Sequence, residues 1–310
     1  MGSGFKRTVA PIVVAGLVGG VLASGCVRGD PERRSYEAPA AAVPASWDEV
    51  FAHPSGATVR TIGTGKVWVP RSGVLNLDRP AAKDLPDDDV WVDVFVHWVH
   101  HPVQGDWLID TGLDRSFRTG ADGNIHGLLV RRYIRASMQD QGQDVEARIA
   151  KLGIKPAGVF FTHLHGDHTA GTPALSKAIR YVVGKGDAYV NYWLLYQGDH
   201  LAGVPYLEEI NFKGAPVIPP LGPVVDLFGD GSLWAISTPG HSKGHVSYLV
   251  NGATRPVLLT GDASHTRWGF EHDVEPGWAT DRDEALRSLE MLRAFAAAYP
   301  QVKVVFGHER

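Results

Sequence analysis

The residues best suited to chemistry form a short run near the middle of the chain. Within six residues lie four potential metal ligands, in the order His163, His165, Asp167 and His168. They follow the apolar run 158–161, which predicts a buried strand that ends in a ligand-bearing loop. Neutral imidazoles bind zinc well, and carboxylates also suit harder ions such as iron or manganese. Because the run is internal and contains an aspartate, it is not an expression tag, and we expect a metal site.

Three more motifs place one potential ligand directly after an apolar run. His241 ends TPGH after LWAIS, Asp262 ends TGD after VLL, and His308 follows VKVVFG. A single histidine after a strand is more often a hydrogen-bonded loop residue, but four such motifs together predict that the strand ends converge on one site. The one cysteine in the sequence is Cys26, so the ligands must be His, Asp or Glu.

The order HLHGDH, TPGH, GDA and GH resembles the ligand order of the metallo-β-lactamase superfamily, and the resemblance covers roughly residues 56–310. It implies an α/β fold, the αββα sandwich of two mixed sheets flanked by helices. It also implies two divalent ions, with zinc as the first choice and iron or manganese as alternatives. The implied ligands are His163, His165 and His241 for the first ion, Asp167, His168 and His308 for the second, and Asp262 bridging both.

Two metal ions in this arrangement supply hydrolytic chemistry. Ions about 3.5–4 Å apart can bridge one water and lower its pKa from about 15.7 to about 7, which makes hydroxide available at neutral pH. Such a hydroxide can attack a carbonyl carbon while a metal polarises the carbonyl oxygen. The resemblance also suggests that Asp167, besides holding metal, passes a proton to the leaving group.

Within the superfamily, the second half of the chain looks most like the acyl-homoserine lactonases, in TPGHSKGHVSYLV, in TGDASH and in the acidic helix start that follows. This likeness implies opening of a lactone ring in a small molecule with an apolar acyl chain, which is the reaction of quorum quenching. Those lactonases carry a tyrosine three residues after the bridging aspartate, where this chain has His265. We expect His265 to donate a hydrogen bond or act as an acid in catalysis, unless it marks another substrate or points away.

Other functions stay open because one fold hosts many reactions. The same ligands serve a thioesterase of the glyoxalase II type and a phosphodiesterase or organophosphate hydrolase. A β-lactamase is a weaker alternative, because its second site generally lacks the bridging aspartate seen here as Asp262. The alternative outside enzymes is a lipoprotein that only binds metal or a partner, which would keep its function in an Asp262→Asn variant.

Further residues are expected to support the site. Asp110, in LIDTG, and His245 are candidates for the hydrogen bonds that orient metal ligands, although Asp110 could equally be a turn residue. Apolar spacing predicts helices in HGLLVRRYIRASMQDQG, in DVEARIAKLGI and in DRDEALRSLEMLRAFAAAYP. The aromatic segment 189–220 either lines an apolar pocket for an acyl chain or packs over the sheet as a helical hairpin.

The start of the chain predicts export. Lys6 and Arg7 precede an apolar run that ends in ASGC, so residues 1–25 match a secretory signal and resemble that of bacterial lipoproteins. We expect a lipid on Cys26 to anchor the protein to a bacterial membrane, on its periplasmic or cell-surface side. Residues 26–55 should form a flexible tether and residues 56–310 the catalytic domain. A net charge of -4 without a long basic run argues against a nucleic-acid partner, and the oligomeric state stays open.

Overall fold

The computed structural model describes residues 31–120, 122–189 and 198–310. Within these ranges the strands are β1 Glu32–Ser35, β2 Thr58–Pro70, β3 Asp89–His101, β4 Gly105–Ile109, β5 Ala136–Met138, β6 Pro156–Phe160, β7 Arg180–Gly184, β8 Tyr206–Ile210, β9 Val224–Asp226, β10 Leu233–Ser237, β11 Val246–Asn251, β12 Pro256–Leu259 and β13 Lys303–Val305. The α-helices are α1 Trp47–Ala52, α2 Arg71–Val74, α3 Val130–Tyr133, α4 Val145–Leu152, α5 Gly166–Thr169, α6 Arg267–Glu271 and α7 Arg282–Ala298. Short 3₁₀ turns cover Arg115–Arg118, Thr172–Ala174 and Gly261–Ala263.

The strands form two mixed sheets. The larger sheet has the order β1-β8-β7-β6-β4-β3-β2-β5. Its strands from β1 to β4 are parallel neighbours, and its strands from β4 to β5 pair antiparallel. The smaller sheet has the order β13-β12-β11-β10-β9, in which only β12 and β13 are parallel. Loops that follow parallel neighbours leave a sheet at the same edge, which is how this fold gathers distant residues.

Three apolar layers hold the sheets and helices together. Between the sheets, side chains of both inner faces pack into one core that includes Phe160 and Tyr248. α7 covers the outer face of the smaller sheet through Leu289 and Phe295, and α4 contributes Val145 to the core on the outer face of the larger sheet. The layers therefore run helix, sheet, sheet, helix, and the αββα sandwich expected from the sequence is confirmed.

Two of the predicted helices begin and end as their residue types indicate. Asp144 caps α4 by accepting a hydrogen bond from the Ala147 N–H at 3.0 Å, and Gly153 ends that helix with a left-handed φ of 67°. Asp281 caps α7 by accepting from the Glu284 N–H at 2.9 Å. Both helices are confirmed, and each presents its apolar side to a sheet.

The helix expected in HGLLVRRYIRASMQDQG, residues 126–142, is wrong. This segment contains the one-turn helix α3 and then the strand β5, which pairs antiparallel with β2 and places Met138 opposite Lys66. The ladder to β2 supplies partners for the backbone N–H and C=O groups that a helix would otherwise satisfy internally. Pairing with a strand distant in the sequence therefore overrides the local apolar spacing.

The flexible tether expected over residues 26–55 is also wrong for its described part, from residue 31 onwards. β1 pairs in parallel with β8, Tyr36 donates its hydroxyl to the Leu227 carbonyl at 2.6 Å, and Trp47 is fully buried. Two large aromatic side chains bury enough apolar surface to order a segment rich in Pro and Ala. The predicted signal 1–25 and Cys26 lie outside the described residues. Within the described ranges no helix is long and apolar enough to cross a membrane.

Candidate metal centre

The larger sheet brings the first polar motif to one edge. β4, β6 and β7 are parallel neighbours in register. Because parallel strands end at the same sheet edge, Asp110 follows β4 beside the loop after β6 that carries His163. That loop turns into the one-turn helix α5, which carries Asp167 and His168.

The smaller sheet delivers the other ligands. His241 follows β10 through a turn at Gly240, whose φ is +128° and where a Cβ atom would lie 2.1 Å from the backbone nitrogen of Ala285. Only glycine allows this turn to lie against the start of α7. Asp262 follows β12 and His308 follows β13, and these two strands are parallel neighbours. All seven predicted ligands therefore converge in one place.

The first group of donors consists of His163, His165, His241 and Asp262, whose ligand atoms all lie within 4.8 Å of one another. His241 Nε2 lies 2.9 Å from His165 Nδ1 and 3.3 Å from Asp262 Oδ2. His163 Nε2 lies 3.6 Å from the same oxygen. These are the residues that the sequence assigned to the first ion together with the bridging aspartate.

The second group consists of Asp167, His168 and His308, again within 4.8 Å of one another. His308 Nε2 lies 3.4 Å from Asp167 Oδ2 and 3.3 Å from Asp262 Oδ1. His168 Nε2 lies 3.4 Å from that same Oδ1 atom. Asp262 thus presents one oxygen to each group, as a bridging carboxylate would.

These spacings fit metal ions. Two donors that each lie about 2.1 Å from a tetrahedral ion are about 3.4 Å apart. Asp262 lies 3.3–3.6 Å from the nearest ring nitrogens of His163, His168, His241 and His308, and Asp167 lies 3.4 Å from that of His308. Nε2 of His163, Nε2 of His168 and Oδ1 of Asp262 are buried without a hydrogen-bond partner. Since buried polar atoms without partners are costly, these atoms are placed for a ligand from outside the chain. The two groups could hold two divalent metal ions.

Neighbouring charges keep the shared aspartate ionised. Burial would raise the pKa of Asp262, but His168, His308 and His265 hold that pKa well below its usual range. Burial would lower the pKa of His308, but Asp262 and Asp167 raise it to about 9. His308 must therefore release a proton before it binds a cation, which makes metal binding stronger as the pH rises.

Asp110 and His245 form hydrogen bonds that hold the predicted ligands in position. Asp110 accepts a hydrogen bond from His168 Nδ1 at 2.8 Å and from the N–H and hydroxyl of Thr162 at 2.7 and 2.9 Å. Its φ of 58° is in the left-handed region that few non-glycine residues adopt. His245 donates from Nδ1 to a backbone carbonyl at 3.1 Å and accepts at Nε2 from the Asp262 N–H at 2.9 Å. Asp110 thus orients a ligand histidine, and His245 holds the backbone of the shared aspartate.

His265 also points into the cluster. The residue is 5% exposed, its Nδ1 donates to the Val74 carbonyl at 2.8 Å, and its Nε2 lies 3.1 Å from Asp262 Oδ2. Its ring centroid lies 5.3 Å from that of His241 and 5.1 Å from that of His308. The possibility that His265 points away from the site is therefore wrong.

Sequence reasoning missed Asp187, which lies just after β7. Its Oδ1 accepts from the Leu164 N–H at 3.0 Å, and its Oδ2 accepts from the Ser242 hydroxyl and from the Gly244 N–H at 3.2 Å. One buried carboxylate thereby ties the loop of His163 and His165 to the loop of His241. Asp187 follows β7, a third parallel strand that ends at the same sheet edge, and this position in the sequence could have identified it as part of the site.

The described part of the aromatic segment 189–220 packs rather than lining a pocket. The Tyr189 hydroxyl is buried and accepts from the His200 N–H at 2.8 Å, the Tyr206 ring lies 4.1 Å from the Arg34 guanidinium, and Phe212 packs against the core between the sheets. The other aromatic residues singled out there, Tyr192, Trp193 and Tyr196, lie outside the described residues.

A cleft of about 350 Å³ opens beside His308 instead. Its apolar wall comes from the end of α2, the loop between α2 and β3, β3 itself and α6, through Val74, Leu75, Leu85, Val90, Trp91 and Trp268. Arg71, Asp93 and Glu309 add polar groups. A concave, mostly apolar surface with a few polar groups is typical of small-molecule sites, and this one adjoins a candidate metal ligand.

This chain is similar to known metal-dependent hydrolases in both sequence and fold. The model of the metallo-beta-lactamase superfamily matches residues 90–308. The chain is 30% identical over 219 residues to the N-acyl homoserine lactonase AttM of Agrobacterium fabrum, which covers 68% of this chain and 80% of that protein.

Solved structures show the same fold. An N-acyl homoserine lactone hydrolase with the product N-hexanoyl-L-homoserine at its catalytic metal centre matches with a TM-score of 0.64 and 22% identity, over 83% of this chain and 94% of its own. AidC, a dizinc quorum-quenching lactonase, matches with a TM-score of 0.57 and 14% identity, over 83% of this chain and 89% of its own. The matched range 90–308 contains all seven converging donors. The sequence-based expectation of a metal-dependent hydrolase is confirmed, and the chain belongs to the metallo-β-lactamase superfamily.

Proposed function

We propose that this protein is a metal-dependent N-acyl homoserine lactonase, which hydrolyses the ring ester of a lactone that carries an apolar acyl chain. One observation carries the proposal: two donor groups share Asp262, one oxygen each, beside an apolar cleft. The similarity to AttM supports the choice of a lactone over other esters.

The residues of the chain have separate tasks in this reaction. When bound, two divalent ions, with zinc as the first choice, supply a Lewis acid for the ester carbonyl and a water of lowered pKa. The five histidines, Asp167 and Asp262 would hold these ions, and the burial of all of them except His165 and Asp167 limits the access of bulk water to the site. The Asp167 side chain remains 23% exposed, so its carboxylate can reach substrate and hold the proton that the ring oxygen needs as it leaves.

The cleft beside His308 supports an acyl chain on the substrate. Its volume of about 350 Å³ lies within the usual range of small-molecule pockets, about 300–1,000 Å³. Trp91 and Trp268 provide large apolar surfaces that an alkyl chain would bury. A lactone ring at the donor groups would therefore direct its acyl chain along Trp268.

The test is turnover by the full chain loaded with zinc, measured as proton release from N-decanoyl-homoserine lactone. A thioester, a β-lactam and a phosphotriester serve as comparison substrates. We expect the lactone to react fastest, and we expect Asp262→Asn to abolish the reaction while His53→Gln, a change at an exposed histidine outside the donor groups and the cleft, leaves it unchanged. Faster turnover of another substrate would replace the lactone in the proposal, and equal activity in Asp262→Asn would reject the metal mechanism.

We further propose that the protein is exported and anchored through a lipid on Cys26, which the ASGC motif supports. Five residues lie between Cys26 and Glu32, where β1 begins, so the two are six chain steps apart and at most about 22 Å from each other. The anchor would therefore hold the β1 edge of the larger sheet close to the membrane. Cys26→Ser should move the protein from the membrane fraction to the soluble fraction without changing lactone turnover, and a variant that stays with the membrane would contradict the anchor.

A further inference from the structure

The hydrogen bond between His265 and a backbone carbonyl determines which nitrogen of the neutral ring carries the proton. Its Nδ1 lies 2.8 Å from the carbonyl oxygen of Val74. A carbonyl only accepts hydrogen bonds, so Nδ1 must carry the hydrogen, and the neutral ring then has a bare lone pair on Nε2. His308 is held in the same way, with Nδ1 2.7 Å from the carbonyl oxygen of Asp93. A neutral His265 thus cannot donate a hydrogen bond from Nε2 to a substrate carbonyl.

The bare nitrogen faces an oxygen that also only accepts. His265 Nε2 lies 3.1 Å from Asp262 Oδ2. His241 Nε2 lies 3.3 Å from the same oxygen, and His308 Nε2 lies 3.3 Å from Asp262 Oδ1. A ring nitrogen and a carboxylate oxygen at this distance share either a proton or a metal ion. His265 therefore stands in the same relation to Asp262 as two of the residues that the superfamily pattern assigns as ligands.

The burial of His265 and the distances from its donor atom to those of its neighbours also match those of a metal ligand. The donor atoms of Asp262, His265 and His308 all lie within 4.8 Å of one another, and His265 is as deeply buried as its neighbours. A hydrogen bond from the unmetallated nitrogen to a backbone carbonyl is a usual support of a metal-bound histidine. The carbonyl of Val74, the last residue of α2, provides that support, and Val74 also lines the apolar cleft.

We propose that His265 is an eighth protein ligand of the metal centre, bound through Nε2 to an ion that Asp262 also holds. The proposal rests on the metal centre of the proposed function but not on the substrate. It replaces a hydrogen bond from His265 to the substrate with direct coordination. With His265 bound, that ion has one position fewer for water or substrate.

Nuclear magnetic resonance of the cadmium-loaded full chain tests this directly. The histidines are labelled with nitrogen-15 and the protein is loaded with cadmium-113, because a metal-bound imidazole nitrogen is split by one-bond coupling to that isotope. We expect six split nitrogens in the wild type: those of the five assigned histidines and Nε2 of His265. His265→Gln should show five with two cadmium ions still bound. His272→Gln should keep six, because His272 also donates from Nδ1 to a carbonyl, that of Trp268 at 2.8 Å, yet is exposed.

The possible results distinguish failure of the proposed role of His265 from failure of the proposed function. Five split nitrogens in the wild type, with none lost in His265→Gln, would overturn the role of His265 and leave the lactonase proposal intact. Six split nitrogens in a protein that does not hydrolyse the lactone would support His265 as a ligand and reject the substrate. No split nitrogen at all would overturn the metal centre and this inference with it. The number of split nitrogens in the wild type can be measured whether or not any variant folds.

Discussion

Asp110→Asn should weaken both the fold and the second metal site. The Asp110 carboxylate accepts three hydrogen bonds from buried donors, two from Thr162 and one from His168. The single oxygen of an asparagine amide can keep at most two of them, and its NH₂ group must then face the third donor. Losing a charge-assisted bond costs about 1.5–3 kcal/mol and leaving a buried donor unpaired about 1–3 kcal/mol. Since the two costs overlap, we expect the free energy of unfolding to fall by about 2–4 kcal/mol.

The same change should lower metal affinity, because Asp110 orients His168. Loss of such an outer partner typically reduces metal affinity about 10–100-fold, which corresponds to about 1.4–2.7 kcal/mol. Urea unfolding of the metal-free protein measures the first effect, and competition with a chelator measures the second. Only the ion held by Asp167, His168 and His308 should be affected, since His168 belongs to that donor group alone.

Asp106→Asn is the matched control. Asp106 lies on β4, four residues before Asp110, and its Oδ1 accepts from His100 Nδ1 at 2.8 Å and from Trp98 Nε1 at 2.9 Å. The His100 side chain is half exposed, at 51%, so water can replace the lost bond and we expect at most about 1 kcal/mol of destabilisation. Metal affinity should be unchanged in this variant. If Asp110→Asn unfolds at the same urea concentration as the wild type and binds both ions as tightly, the reasoning about Asp110 is refuted.

Three further changes test other parts of the structure. Trp268→Ala should raise the KM for N-decanoyl-homoserine lactone about 10-fold, since burying part of the indole is worth about 1.5 kcal/mol, and should leave the KM for a short acyl chain unchanged; equal effects on both substrates would show that the cleft does not take the chain. Burial lowers the pKa of His97 to about 3, whereas the unfolded value is about 6.5, so its contribution to stability is complete above pH 6.5 and decreases by about 1.4 kcal/mol per pH unit as the pH falls towards 3. Urea unfolding at pH 7 and pH 5 should therefore show a smaller acid loss in His97→Asn than in the wild type, and an identical loss would exclude His97 as a cause. Trp47→Ala should reduce the free energy of unfolding by about 3–5 kcal/mol, because Trp47 packs edge-on against Trp234 and Phe295 at 5.3 and 5.5 Å; an unchanged thermal transition would argue for a tether at the N-terminus after all.

The sequence alone was sufficient for the fold class and for the donors of the site. Each donor motif follows a strand within a few residues, as His163 follows β6 and His308 follows β13, so strand pattern and ligand type appear together in a local stretch of sequence. The helices α4 and α7 were predictable for the same reason, since caps and apolar spacing are local signals.

Other features depended on contacts that leave no local pattern. The N-terminal segment 31–55 reads as a tether by composition, yet β1 joins the larger sheet by pairing with β8, far along the chain. The carbonyl that holds His265 belongs to Val74, 191 residues earlier, and any residue type could have supplied it. Asp187 became important only because the sandwich sets β7 beside both ligand loops. The tertiary structure decides such features because backbone carbonyls carry no sequence signature and because the energy of a buried contact depends on which distant segments the fold brings together.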